Sequence, residues 1–386
     1  MEPSIAIAEE TVITEIDVFE MEDVGFDMMN QWEGLREIYI RDGEFVKLGD
    51  LIHRPKLAET LRQIADNGQE IFYNGVLGET IVQEIQEAGG IISIEDLRNY
   101  TSIWRDPIVI PYQYKTLHVA PPPFSGAVLG MAMNIIEHDE LLSDDAESEH
   151  LLIEAWKWSF GDRLALGDPE ATKVEEIVTT MTSKDHAADI RKLIVPGKTF
   201  PASYYSDLVN ITGSTKQIED HGTMHVNTID IYGNMVAVTS TVNLDWGSKF
   251  VGPETGIVYN NEMDDFATPD FINHFGVPPS VSNYIAPWKR PMSSMNPLIV
   301  SNQHEEPIIA VGASGGTKII TAVMQTLINF LSFNMTVGEA VVHPRIHDQL
   351  IPETTFAEKN FDSEMLDELL AMGHTVCNIT PTNPSY

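Results

Sequence analysis

Residues 221–243 read HGTMHVNTIDIYGNMVAVTSTVN. Two runs rich in Val, Ile and Thr, alternating with period two, flank Tyr232-Gly233-Asn234, which is the pattern of a β-hairpin with Gly233-Asn234 at its tip. Residues of one parity share a face of a strand, so Thr223, His225 and Asn227 point one way and Thr239, Thr241 and Asn243 share a face of the return strand. A turn at 232–234 sets Thr223 opposite position 243, give or take one, with Thr241 as a diagonal neighbour. Several polar side chains then converge on one edge of an otherwise apolar hairpin. That edge is either a chemical cluster or a solvent-facing border built from β-favouring threonines.

Working outward, further strands are expected around 256–259, 297–301 and 308–311, and a helix over 317–333. The first half reads as helices with little strand. Pro55 fits a first helical turn, Leu57, Leu61 and Ile64 form one stripe, and Asn67-Gly68 stops it. A second helix runs over 77–88, a strand over 108–120, a helix follows Ser125-Gly126, and a longer one carries Leu151, Leu152, Ala155, Trp156 and Phe160. Residues 1–31 are acidic and read as irregular. The sum is an α/β protein of stacked layers.

The chain has 386 residues, and 23 Lys+Arg against 58 Asp+Glu give a net charge of −35. Such a surface repels a phosphate backbone and anionic lipid, so nucleic acid is not an expected partner. The 43% hydrophobic content suffices for a large core and argues against general disorder. A lone cysteine, Cys377, cannot form an internal disulfide or a thiolate metal site, and is read as structural. No apolar run approaches the ~20 residues that span a bilayer. Met1 to Asp23 holds eight acidic and no basic residues, unlike a signal peptide. Sequons at Asn99, Asn210, Asn334 and Asn378 lean towards a secretory history.

Other segments invite chemistry. Gly312-Ala313-Ser314-Gly315-Gly316, between an apolar strand and a helix, can aim backbone N–H groups at a phosphate, a carboxylate or a developing oxyanion, or be a plain turn; it is not a Walker A loop. Asn260-Asn261-Glu262-Met263-Asp264-Asp265 could capture a cation or ammonium, or be a solvated loop. Ser293-Ser294 is a turn whose hydroxyls could bind a carboxylate. His343 and His347 are four apart, but Pro344 intervenes and no H-E-x-x-H arrangement is present, so no metal and no cofactor are expected. There is no G-x-S-x-G elbow, which disfavours an α/β-hydrolase.

In their order these pieces resemble the γ-glutamyltransferase (glutathione hydrolase) family, most closely its animal members. The carriers are the 221–243 stretch, GSKFVGPETGIVYNNEMDDF at 247–266, RPMSSMNP at 290–297 and VGASGGTKI at 311–319. FYNGVLGETI at 72–81, GGIISIEDLRNY at 89–100, PPPFSGAVL at 121–129 and FGDRLALGDP at 160–169 support them. The match runs from about residue 32 to about 375.

The resemblance implies an N-terminal nucleophile hydrolase fold, a four-layer α/β/β/α sandwich, here incomplete at both ends. It implies self-cleavage between Gly222 and Thr223, which makes Thr223 both a chain terminus and the nucleophile, and divides the chain into a large-subunit-like part, 32–222, and a small-subunit-like part, 223–386. A free α-amine, of ordinary pKa near ~8, can take the proton that makes a threonine hydroxyl nucleophilic. By motif, Thr241 supports the nucleophile, Asn243 and Glu262 grip the donor's α-amino end, Asp265 pairs that ammonium, Ser293 and Ser294 hold its α-carboxylate, and Gly315 and Gly316 form the oxyanion hole. The implied partners are small molecules: glutathione, other γ-glutamyl compounds, and acceptor amino acids or water.

The match departs in three places. Family members carry a donor-binding arginine in a preceding segment, whereas residues 1–31 contain no Arg or Lys. The usual closing segment does not follow Thr380, and Met224 stands where a small residue is usual. The rival reading is an inactive homologue serving as a binding or secreted effector protein. The implied location is extracellular or outward-facing on a membrane.

Overall fold

The computed structural model describes residues 1–137, 142–209 and 222–379. The chain divides into two compact units, one formed by 1–104 with 242–261, the other by the described residues of 105–241 and 262–379. No unit boundary falls between 222 and 223.

In the first unit, residues 1–31 are not irregular: they form helices Glu2–Glu9, Glu15–Val24 and Phe26–Gln31. Glu2, Glu15, Asp17 and Asp27 lie in first turns, where a negative charge is favourable. Thr14 accepts from the Asp17 N–H while the Asp17 carboxylate accepts from the Thr14 N–H, a reciprocal cap. Met21 and Met29 are buried with Ile13, Leu35 and Ile52, against Trp246 and Val251. The helix Pro55–Asn67 begins and stops where the sequence indicates, with Gly68 at φ 72. The helix Val76–Glu87 buries Leu77, Ile81 and Val82 against Leu97, Ile257 and Tyr259.

No strand forms over 256–259; a single bridge joins Val251 and Val258. A side chain at Gly256, φ +67, would put its Cβ 2.6 Å from the Leu57 amide nitrogen. Glu84 organises the segment instead. Its buried carboxylate accepts from the Glu254 N–H, the Thr255 N–H and hydroxyl, and the Tyr259 hydroxyl. Burial, reinforced by that carboxylate, raises the Tyr259 hydroxyl's pKa above its ordinary value.

The second unit contains an antiparallel sheet in the order Pro307–Val311, Leu298–Ser301, Lys115–Val119, Ile108–Tyr112. The run read as one strand over 108–120 is therefore a hairpin, turning at Gln113 with φ 51. Its register sets Ile110 opposite Leu117, Leu117 opposite Val300 and Val119 opposite Leu298. These side chains share one face and are buried in a single core with those of helices Gly126–Ile136, Ala146–Arg163 and Lys318–Leu331. Burying each such side chain contributes roughly 1.5–3 kcal/mol. Gly130 lets helix and sheet approach: a Cβ there would sit 2.1 Å from Ile110.

The strands Thr223–Ile229 and Met235–Thr241 lie beside Leu298–Ser301 and Pro307–Val311. This hairpin is inverted relative to a usual amphipathic one. Its Thr223, His225, Thr239 and Thr241 face is half-buried, while Met224, Val226, Val236 and Val238 are exposed. Ile346–His347, Thr355–Glu358 and Val376–Ile379 form a third sheet.

Candidate active site

Thr223 pairs directly with Thr241, two positions from where the sequence placed its partner. The cause is the loop. The Asp230 carboxylate accepts from the Tyr232 and Asn234 N–H groups and from the Asn234 amide, centring the turn on Tyr232. The two threonine hydroxyl oxygens are 2.8 Å apart, and the Thr241 oxygen is 3.1 Å from the Gly222 carbonyl oxygen. A carbonyl only accepts, so Thr241 donates to Gly222 and its lone pair receives the Thr223 hydrogen. An ordered chain thus runs from the Thr223 hydroxyl, through Thr241, to the carbonyl of the peptide bond just ahead of Thr223.

On the same strand face, His225 bonds Thr239 through Nδ1 at 2.8 Å and Asn227 through Nε2 at 2.9 Å. Its ring rests on Gly312, where a Cβ would come within 2.2 to 2.7 Å of three ring atoms. A residue with any side chain at 312 would push this strand away from the 312–316 loop. At the end of that loop Gly315 and Gly316 have φ of 114° and 57°, conformations that favour glycine. Their carbonyls accept from the Lys318 and Ile319 N–H groups at the helix start. Their own N–H groups donate to no acceptor among the described residues.

Glu262 and Asp265 bound a single helical turn. Burial raises the Glu262 carboxyl above its ordinary pKa. Asn283 ties this turn to the serine pair, since its amide donates to the Asp265 carbonyl at 2.7 Å and its oxygen accepts from the Met292 N–H at 2.9 Å. Ser293, buried, donates its N–H to the Pro123 carbonyl at 2.8 Å. Asp168, buried, accepts from Arg105 at 3.3 Å and from the Arg290 N–H at 2.8 Å, fixing the start of the 290–297 run. The structure thus groups Thr223 with Thr241 on the hairpin, and Asp265 with Ser293 and Ser294 through Asn283. Asn243 belongs to the first unit, where it is buried at φ 74 and donates to the Asn261 carbonyl at 3.1 Å.

Four residues here carry no special mark in the sequence reading: Ser125, Arg163, Asp168 and Asn283. Arg163 and Asp168 lie within FGDRLALGDP, and the only available signal is their place in that stretch, since the helix ending at Arg163 carries other charges. The Arg163 guanidinium, at the end of the helix Ala146–Arg163, donates from Nε to the Ser125 oxygen at 3.3 Å and from Nη2 to the Ser294 oxygen at 3.1 Å.

One reading of a lone residue changes. Cys377 is exposed rather than a packed structural thiol. His347 is a core residue in a strand, bonded to Thr321 at 2.7 Å and Gln349 at 3.0 Å, and burial lowers its pKa to about 3. Among the described residues His150, Glu154 and His374 lie close enough to hold a metal ion. The Lys157 ammonium, 3.6 Å from Glu154 and 3.4 Å from His374, already supplies that cluster with a cation.

The Gamma-glutamyltranspeptidase family model matches residues 1–385. The chain is 40% identical over 329 residues to Glutathione hydrolase 3 of Arabidopsis thaliana, covering 84% of this chain and 50% of that protein. It is 36% identical over 340 residues to Scoloptoxin SSD14 of Scolopendra dehaani, covering 86% of this chain and 58% of that one. It spans about half the length of such curated relatives. Its fold is similar to a cephalosporin acylase from Bacillus halodurans at a TM-score of 0.82 and 24% identity, covering 98% of this chain and 67% of the acylase. The architecture is that of an N-terminal nucleophile hydrolase, as expected from the sequence.

Proposed function

The chain belongs to the γ-glutamyltranspeptidase family, and from that premise we propose that it is a self-cleaving γ-glutamyl hydrolase and transferase with Thr223 as nucleophile. The observation that carries this reading is the hydrogen-bonded chain from Thr223 through Thr241 to the Gly222 carbonyl.

In the uncut chain the Thr223 oxygen attacks the Gly222 carbonyl carbon. Thr241 takes the nucleophile's hydrogen as it passes its own to the Gly222 carbonyl oxygen, a relay along the observed chain that leaves the hydroxyl neutral. The peptide C–N bond breaks, its nitrogen takes the proton, and the resulting ester is hydrolysed by water. Thr223 is left as a free N-terminus. Its α-amine then takes the hydroxyl proton as the oxygen attacks the γ-carbonyl carbon of the donor.

Gly315 and Gly316 are the donors to the developing oxyanion. Such a donor contributes roughly 3–4 kcal/mol to lowering the barrier. The leaving amine departs with the proton, and the γ-glutamyl ester passes to water or to an amino acid. In this reading Glu262 and Asp265 hold the donor's ammonium, and Ser293 and Ser294 its α-carboxylate. Asn243 takes a substrate-binding role from its motif alone.

Relatives named glutathione hydrolase support glutathione as a donor, and its conjugates are proposed with it. The two fragments are proposed to stay associated. An extracellular location is supported by sequon residues Asn99, Asn334 and Asn378, all exposed, while Asn210 lies outside the described residues. No helix of the described residues is long and apolar enough to cross a membrane.

The test is turnover of a chromogenic γ-glutamyl anilide by the wild type and by Thr223→Ala. The variant is expected to lose both self-cleavage and turnover. Turnover retained by Thr223→Ala would remove Thr223 from the chemistry.

A further inference from the structure

We infer that Arg163 is a positioning residue for the donor's α-carboxylate, acting through Ser294; this rests on the proposed role of the serine pair. Arg163 is 8% exposed, and among the described residues it makes no ion pair. Its partners are two neutral hydroxyls, Ser125 at 3.3 Å and Ser294 at 3.1 Å. A buried charge whose hydrogen-bond partners are all neutral is costly unless something compensates it. Burial lowers the guanidinium's pKa to about 10, opposed by the charge of Asp265.

The direction of each hydrogen bond shows what the missing compensation is. A guanidinium only donates, so Ser294 accepts, and its own hydrogen is left to donate elsewhere. Ser125 accepts from Arg163 and donates to the Ser293 carbonyl at 2.7 Å. The Ser293 oxygen accepts from the Met295 N–H at 3.2 Å. Neither Ser293 nor Ser294 donates its hydroxyl hydrogen to any described acceptor. Two hydroxyls with lone pairs turned inward and hydrogens unused, backed by a cation, fit an anion and offer nothing to a second ammonium. A carboxylate accepts both hydrogens in charge-assisted bonds. Arg163 sets the orientation of Ser294 and supplies the counter-charge behind it.

The test compares ligands that differ by one group. 4-Aminobutyrate is L-glutamate without its α-carboxylate, and 4-aminobutyryl anilide is the corresponding analogue of the γ-glutamyl anilide. Wild type, Arg163→Met and Arg163→Lys are titrated with both acids by calorimetry and assayed with both anilides. Arg163→Met is expected to weaken L-glutamate binding roughly 10- to 100-fold. It raises KM for the γ-glutamyl anilide by a similar factor, with a smaller change in kcat. Its binding of 4-aminobutyrate and its kcat/KM on 4-aminobutyryl anilide match those of the wild type. Arg163→Lys recovers part of the loss, because an ammonium restores the charge but not the fork that spans two serines.

Equal losses on both ligands would make Arg163 a purely structural residue and overturn the inference. So would unchanged L-glutamate affinity in Arg163→Met, or a wild type that does not bind L-glutamate. Failure of the proposed function looks different: no cleavage ahead of Thr223 and no anilide turnover by the wild type, with the Arg163-dependent difference in L-glutamate affinity intact.

Discussion

Glu84 and Arg163 are both buried charges, and the protein surrounds them in opposite ways. Glu84, 3% exposed, accepts four hydrogen bonds from two backbone amides and two hydroxyls that hold the 254–259 segment. Arg163 touches two hydroxyls and no carboxylate among the described residues. The first arrangement is complete as it stands and serves the fold. The second leaves donor capacity unused, as do the Gly315 and Gly316 amides. In this pair the completed arrangement serves the fold, and the incomplete one is the place proposed for a ligand.

The contrast can be broken most directly by deleting the Glu84 charge. Glu84→Ala leaves four donors without their acceptor and is expected to cost about 3 kcal/mol or more in urea unfolding, with or without γ-glutamyl ligands. A loss below ~1 kcal/mol would mean that the carboxylate does not organise its segment. Gly312→Ala should come next. Its Cβ cannot coexist with the His225 ring, so a stability loss of about 1–3 kcal/mol and slower self-cleavage are expected. Cleavage at the wild-type rate would show that docking of this strand on the loop is not needed.

Arg163→Met is expected to change stability by less than about 1 kcal/mol, in either direction, since it removes a buried charge that has no ion-pair partner among the described residues along with its hydrogen bonds. A loss as large as that of Glu84→Ala would erase the distinction drawn here. The smallest effect concerns pH. Burial makes the folded Glu262 carboxyl hold its proton to higher pH than the unfolded one, so this group favours folding as pH falls and opposes it as pH rises past its raised value. The ionised form is the one that pairs an ammonium. KM for the γ-glutamyl anilide should therefore fall as pH rises through a window above the ordinary carboxylate range, and Glu262→Gln should flatten that trend. An identical pH profile in Glu262→Gln would take this carboxyl out of ammonium binding.

What could be read from the sequence was local. Pro55, the stripe of Leu57, Leu61 and Ile64, and Gly68 define a helix through neighbours three and four residues apart. The hairpin follows from alternation around Gly233. Its register did not, because Asp230 caps the loop and one residue's shift of the centre moves every pair by two. The split of 108–119 into two strands was hidden because the turn uses Gln113 rather than the Asn or Gly that announces such turns. Helices in residues 1–31 were hidden by their many acidic side chains, of which Asp17 caps a helix start.

For the site, the motif supplied nine positions, and Thr223, Thr241, Gly315 and Gly316 show geometry suited to their proposed chemistry. The position inferred for Arg163 is not legible in the sequence. Its partners Ser125 and Ser294 are 38 and 131 residues away along the chain. Such proximity belongs to tertiary packing and has no spacing signature.

The proposed chemistry turns on the peptide bond ahead of Thr223. Intact-mass spectrometry of the purified protein should give two species, residues 1–222 and 223–386, the second beginning with an unmodified threonine, and Thr223→Ala should give one uncut species. A wild type that stays whole, or one cut at any other bond, would contradict it.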